Sequence, residues 1–404
     1  MKRLLMACVV FAALAFPVAA RATVPNQGIY TTCLIVNLSD CETRVDNSQA
    51  AGFKYMTFFN ALYGSLSDLT NFLSHANSDG MKILISIQSA PANTTDALTG
   101  TSLVSTFSAG GMPTACSATT NKQFIDCVIP YCDASPACAG WYIADEPGCP
   151  NQGIGYCQGS LGGSNCGSGC RYQNVDELAS YLQGADPTKL VVGYNTPSGI
   201  PACSGGWSGT CAQTQIDNLY SCNGNSPCNG VYCWLSCTDS QNGGYDYYPI
   251  GNPNQPSQST SDITTVGTLI QNTLNANCSG CHNAFVVQAF SYTQGGYSGC
   301  TDISACPYPT SAQMITMRNN AILAAHNAGH DLTLVWYYSY EDAQCIHGYA
   351  GGGTCDATTN WNIVKAAVAA ADPVGGGTCC WLLACRNKCK PTPVPKPTKK
   401  PQDA

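Results

Sequence analysis

The sequence predicts an α/β fold, a (β/α)8 TIM barrel with long disulfide-stapled βα loops, and three observations carry that prediction. Strand-like apolar runs alternate with runs of helical period along the chain, eight of the former in all. Parallel strands need helical crossovers, and eight of them close a sheet on itself. The loops that leave the strands are long and rich in cysteine, whereas several that enter them are short. Finally, no G-x-G-x-x-G follows the first strand, so an open doubly wound sheet lacks its usual phosphate-binding turn.

In chain order, residues 1–22 begin with Lys2 and Arg3, run apolar from Leu4 to Phe16 and end in Ala20-Arg21-Ala22, the layout of a secretory signal peptide that takes no part in the fold. Strands are expected at 28–36, 53–59, 82–88, 140–145, 189–194, 230–235, 285–290 and 332–338. Helical faces are set by Leu69, Phe72, Leu73 and Ala76 before Gly80, and by Val175, Leu178 and Leu182 after Asn174. Thr310 and Gln313 form a capping box ahead of Met314, Met317 and Ala321, and Trp361, Val364 and Val368 make the last face. The barrel is therefore assigned to residues 23–372. Residues 373–404 hold a glycine linker, a cluster of cysteines (Cys379, Cys380, Cys385, Cys389) and a Pro/Lys-rich end expected to be disordered.

Of the 27 cysteines only Cys8 lies in the signal, and an even remainder of 26 in an exported chain predicts disulfides and a secreted, extracellular or periplasmic location. Charged residues make up 10% of the chain, against ~25% in ordinary soluble domains, so disulfides rather than ion pairs are expected to hold the loops. Residues 23–377 carry 8 basic against 23 acidic residues, while 378–404 carry 6 basic residues against Asp403 alone. The acidic body argues against nucleic acid and strongly anionic polymers as partners. The basic tail suits association with an anionic cell surface, and an inert solvated extension is the alternative reading. No run beyond the signal is long enough to span a membrane.

The chemistry concentrates at GWYIADEPG, residues 140–148, where Trp141, Tyr142 and Ile143 read as a buried strand that Pro147 stops. Asp145 and Glu146 then stand at the C-terminal end of the fourth strand, the end at which barrel enzymes build their sites. Alone, such a tripeptide would read as a capped turn. In this context the Glu-Pro pair resembles the N-E-P segment of retaining glycoside hydrolases built on (β/α)8 barrels, and several exported proteins grouped with them carry D-E-P. The resemblance implies Glu146 as general acid/base, with Asp145 in the place of an asparagine that binds the sugar beside the cleaved bond. Asp246-Tyr247-Tyr248-Pro249-Ile250 is similar to the tyrosine-proline segment after strand six of those enzymes. Trp336 resembles the tryptophan that floors their sugar subsite, and Tyr338 joins the substrate-binding candidates because aromatic faces suit the C–H face of a pyranose.

The departure from that pattern is Gln288, which stands on strand seven where the resemblance implies a glutamate nucleophile, and is kept as a substrate-binding candidate. An amide cannot act as that nucleophile. The mature chain has four glutamates, Glu42, Glu146, Glu177 and Glu341, so the second carboxylate is sought among Glu341, Asp342, Asp246 and Asp145. Retention requires carboxyls ~5 Å apart and inversion ~6.5 to 9.5 Å, so a partner from strand six or eight favours inversion. The implied activity is hydrolysis of a neutral or cationic oligo- or polysaccharide, and the competing reading is a catalytically inactive carbohydrate-binding barrel. No cofactor is expected. Cys278 to His282 matches the C-x-x-C-H of haem attachment, but such a match is cheap in a cysteine-rich chain. A metal is not expected either, because the five histidines are scattered and oxidised cysteines are poor ligands.

Overall fold

The computed structural model describes residues 25–58, 62–87, 98–145, 172–195, 213, 241–253, 256–277, 282–294, 299–329, 332–349 and 354–371. The signal segment, the C-x-x-C-H stretch up to Cys281 and the tail from residue 372 lie outside them. Eight parallel strands close into a barrel in chain order. They are β1 (Asn26–Thr31), β2 (Tyr55–Phe58), β3 (Lys82–Ser86), β4 (Cys138–Asp145), β5 (Leu190–Asn195), β6 (Gln241–Asp246), β7 (His282–Gln288) and β8 (Leu332–Tyr338). The longer helices between them are α1 (Leu38–Ala50), α2 (Leu66–Ser78), α3 (Asn121–Asp133), α4 (Tyr172–Ala185), α5 (Asp262–Asn277), α6 (Ser311–Asn327) and α7 (Ala357–Ala369).

The helices start where side chains can satisfy their free N–H groups. Ser65 with Asp68, Thr120 with Gln123 and Thr310 with Gln313 each close a reciprocal capping box. On α2 the buried residues are Leu69, Phe72, Leu73 and Ala76, the face read from the sequence, and α6 likewise buries Met314, Met317 and Ala321. At the far end of the chain, buried Arg318 on α6 donates to the carbonyls of Ala367, Ala370 and Ala371. The last carbonyls of α7 are thereby satisfied, which docks this helix onto the barrel.

Strand alternation produces two apolar layers. Ile29, Ile83, Trp141, Tyr245, Phe285 and Val335 face outward to the helices, whereas Tyr30, Leu84, Tyr142, Tyr194, Val286 and Trp336 fill the barrel. Two glycines make the inner packing possible. A Cβ on Gly28 would lie 2.4 Å from the Trp336 ring, and one on Gly244 would lie 2.0 Å from that of Tyr194. Each large ring therefore occupies the space left by a missing side chain on a neighbouring strand.

Several expectations are corrected. The sixth strand is Gln241–Asp246, whose glycines hide it from a propensity reading, while 230–235 lies outside the described residues. β1 ends at Thr31 because the chain then turns through the Cys33–Cys41 disulfide, and Ile35–Asn37 forms a 3-10 turn. Disulfides Cys300–Cys306 and Cys345–Cys355 staple the loops after β7 and β8, on the expected face. Cys132–Cys138, however, joins the end of α3 to the start of β4, on the opposite face, so stapling is not confined to one side.

Candidate active site

Parallel register brings the C-terminal ends of all eight strands to one rim. Asp145 ends β4, and its backbone aligns with Tyr194 after a register shift between Tyr142 and Ala144. The Asp145 side chain and the whole of Glu146 lie outside the described residues. The described candidate side chains of the rim are those over β6, β7 and β8.

Asp246 is the last residue of β6 and stands beside Val286 of β7. Its neighbours Tyr245 and Tyr247 belong to the outer layer, so the alternation turns Asp246 toward the barrel interior, where it is 2% exposed. Tyr247 is thereby separated from the rim: its hydroxyl donates to Asp262 Oδ2 at 3.1 Å, at the start of α5, and its ring is core. The expected substrate contact from Tyr247 is not supported by that placement. Tyr248 returns to the inner side and is half-buried.

Gln288 ends β7, and its amide is committed to backbone groups. Oε1 accepts from the Ile250 N–H at 2.9 Å, while Nε2 donates to the carbonyls of Ile250 at 2.8 Å and Phe290 at 3.2 Å. The side chain is fully buried. An ionised glutamate could accept but not donate, and would meet two carbonyl oxygens at close range. The surroundings of position 288 therefore require an amide, which holds the segment carrying Tyr248 against β7.

On β8, Trp336 is fully buried among Tyr30, Tyr55 and Tyr194, at ring distances of 5.6, 6.4 and 6.3 Å. It plugs the barrel rather than flooring an open subsite, a correction to the sequence expectation. The half-buried aromatic pair at the rim is instead Tyr338 and Tyr248, 6.3 Å apart and inclined by 32°. Phe290 supports both edge-on, at 5.8 Å from Tyr338 and 5.0 Å from Tyr248, and the Tyr292 hydroxyl donates to the Tyr248 carbonyl at 2.7 Å. Sequence reasoning missed Phe290 and Tyr292, although the F-S-Y run directly after Gln288 carried the signal.

Beyond the cis peptide Tyr338–Ser339, a short helical turn carries Glu341 and Asp342. Glu341 is fully buried, pairs with Arg44, and accepts from the Thr31 hydroxyl at 2.7 Å and the Thr32 N–H at 2.6 Å. Its carboxylate is thus tied to β1 and α1. Asp342 accepts from Ser339 Oγ at 2.7 Å and lies 3.2 Å from His347 Nδ1. That hydrogen bond to Asp342 raises the His347 pKa above the ordinary imidazole value. Among the described residues, the grouping of three candidate metal ligands lies on α1 and α2, not at this rim.

No known protein family matches the sequence, and no curated protein does. Similar solved structures include a β-galactosidase from the haloarchaeon Halorubrum lacusprofundi (TM-score 0.48, 12% identity, 85% of this chain and 57% of that one). A xylanase from Cellvibrio japonicus (0.46, 10%, 79% and 62%) and a family 1 β-glucosidase from Thermotoga maritima (0.45, 8%, 86% and 99%) are also similar. At such identities a shared barrel assigns neither an activity nor a residue's role, so the chemistry is argued from the rim itself.

Proposed function

We propose that this protein is an exported glycoside hydrolase that cleaves a neutral or cationic oligo- or polysaccharide, with Glu146 as proton donor and Asp246 as the ionised partner. The observation that carries the reading is the half-buried Tyr248–Tyr338 pair at the C-terminal rim, with inward-facing Asp246 at the end of β6 two residues before Tyr248. Two inclined aromatic faces next to a carboxylate suit a sugar ring held by stacking and attacked at its anomeric carbon. β4 and β6 are separated by β5 alone, so their backbones stand ~10 Å apart or less, and inward side chains from them fall within reach of the ~6.5 to 9.5 Å separation of inverting enzymes. Water activated by Asp246 would then attack the sugar while Glu146 protonates the departing oxygen, with Asp145 binding the sugar beside the cleaved bond. The signal-like N-terminus and the disulfides support export, and the basic tail suits an anionic cell surface.

A second reading, a carbohydrate-binding barrel without catalysis, is favoured by the amide locked at position 288. Hydrolysis and binding of a panel of neutral and amino-sugar oligosaccharides, measured from acid to neutral pH, separate the two. Glu146→Gln and Asp246→Asn are each expected to lower turnover by ~100- to 10,000-fold while sugar binding survives. If the unsubstituted protein binds glycans and never cleaves them, the binding reading replaces the hydrolase.

A further inference from the structure

α1 and α2 pack side by side on the outside of the barrel and run in the same direction, toward its N-terminal face. Glu42 and Asp46 stand one turn apart on α1, and His75 and Asp79 one turn apart at the end of α2. The four side chains meet. His75 Nε2 lies 2.7 Å from Asp46 Oδ1 and 3.7 Å from Asp79 Oδ2, while its Nδ1 lies 3.9 Å from Glu42 Oε1. One donor atom each from Asp46, His75 and Asp79 falls within 4.8 Å of the others.

Two features of this grouping point to a cation. First, both helices end here, and the negative end of a helix dipole favours positive charge, yet Asp79 caps α2, Asp46 stands just before the last turn of α1, and α1 has no basic residue in that turn. Three carboxylates surround a single imidazole, so the cluster stays negative even when His75 is protonated. Second, the two ring nitrogens of His75 have different surroundings, with one carboxylate on the Nδ1 side and two on the Nε2 side. A metal-ligating histidine is commonly oriented by a carboxylate on its second nitrogen, and Glu42, 3.9 Å from Nδ1, stands on the side where that hydrogen bond would form once an ion occupies the Nε2 side.

We propose that Asp46, His75 and Asp79 form a binding site for a divalent first-row cation, with Zn2+ as its probe and Glu42 as the residue that orients His75. One nitrogen and two carboxylate oxygens, completed by water, suit such an ion better than Ca2+, which takes oxygen ligands. Binding displaces the proton from Nε2 and opens the short Asp46 contact so that both atoms reach an ion at ~2.0 to 2.2 Å. Asp79 lies just before β3 begins at Lys82, so the ion clasps α1 to α2 at the N-terminal face and takes no part in the rim chemistry. The sequence did not announce the site, because its ligands are separated by 29 residues and converge only when the two helices pack.

Tag-free protein stripped with a chelator and titrated with Zn2+ near neutral pH tests this directly. Saturable uptake of one ion per chain is expected, with a rise in thermal midpoint. His75→Ala and Asp46→Asn, at solvent-accessible positions, are expected to keep the far-UV spectrum and lose both effects. Glu42→Gln should weaken affinity by ~10- to 100-fold. His347→Ala, on the loop after β8, should keep both effects. Affinity should fall as pH is lowered, because proton and ion compete for Nε2. Burial works against a charge on His75, but its hydrogen bond to Asp46 and the charges of Asp46, Asp79 and Glu42 outweigh that and raise its pKa. Absence of stoichiometric uptake, or uptake that His75→Ala leaves unchanged, overturns the proposal.

Discussion

The ends of β6, β7 and β8 offer three polar side chains at one rim, and their surroundings divide them. Gln288 on β7 gives its amide to Ile250 and Phe290, and Glu341 just past β8 gives its carboxylate to Arg44, Thr31 and Thr32. Both hold the scaffold together. Asp246 instead ends β6, faces the barrel interior two residues before half-buried Tyr248, and is separated from β4 by β5 alone. Asp246 aligns with Val286, two residues below Gln288, and Glu341 follows the end of β8 by three residues. Gln288 and Glu341 are tied to named partners on neighbouring segments, and it is packing rather than residue type that makes them part of the scaffold.

The strongest way to break this division is through Glu341. Glu341→Ala leaves Arg44 with half-exposed Asp40 as its one remaining carboxylate and takes the acceptor from the Thr31 hydroxyl and the Thr32 N–H, so it is expected to cost ~3 to 5 kcal/mol of stability in urea unfolding with disulfides intact. Sugar binding by the folded fraction should be unchanged. A stability change near zero combined with lost hydrolysis would move Glu341 from the scaffold to the chemistry.

A smaller effect sharpens the reading of β7. Gln288→Glu places a carboxyl against two carbonyls, and at neutral pH the unsatisfied contacts should cost ~1 to 3 kcal/mol. The introduced acid would have a folded-state pKa above the ~4.3 of an unfolded glutamate. A raised pKa means that the folded form holds its proton longer, so the variant should be least destabilised in acid and lose stability as pH rises through that window. Thermal midpoints of variant and parent across pH 4 to 8 check the sign. A variant that gains hydrolytic activity would show that position 288 is a nucleophile's place after all.

Much of the fold was legible because its determinants are local. The apolar faces of α2 and α6, their capping boxes and seven of the eight strand positions follow from side-chain period and cap chemistry. The sixth strand was not legible, since Gly244 is there to admit the Tyr194 ring from the neighbouring strand, and glycine lowers strand propensity. At the candidate site, the end of the fourth strand pointed to Asp145, whereas Asp246 and Gln288 came from the resemblance of the segments that carry them. The commitments of Glu341 and Gln288 are set by partners 297 and 38 residues away, which no local pattern encodes. Trp336 misled for the same reason: its burial depends on Gly28, at the other end of the chain.

The pairing of Glu146 with Asp246 is tested most directly by the anomeric configuration of the first product. Proton NMR of an oligosaccharide digest, recorded before mutarotation equilibrates the sugar, should show the anomer opposite to that of the cleaved bond, because the proposed pairing places the attacking water between the two carboxyls. A first product with the anomeric configuration of the substrate would require a nucleophile on the enzyme ~5 Å from Glu146 and would contradict that pairing.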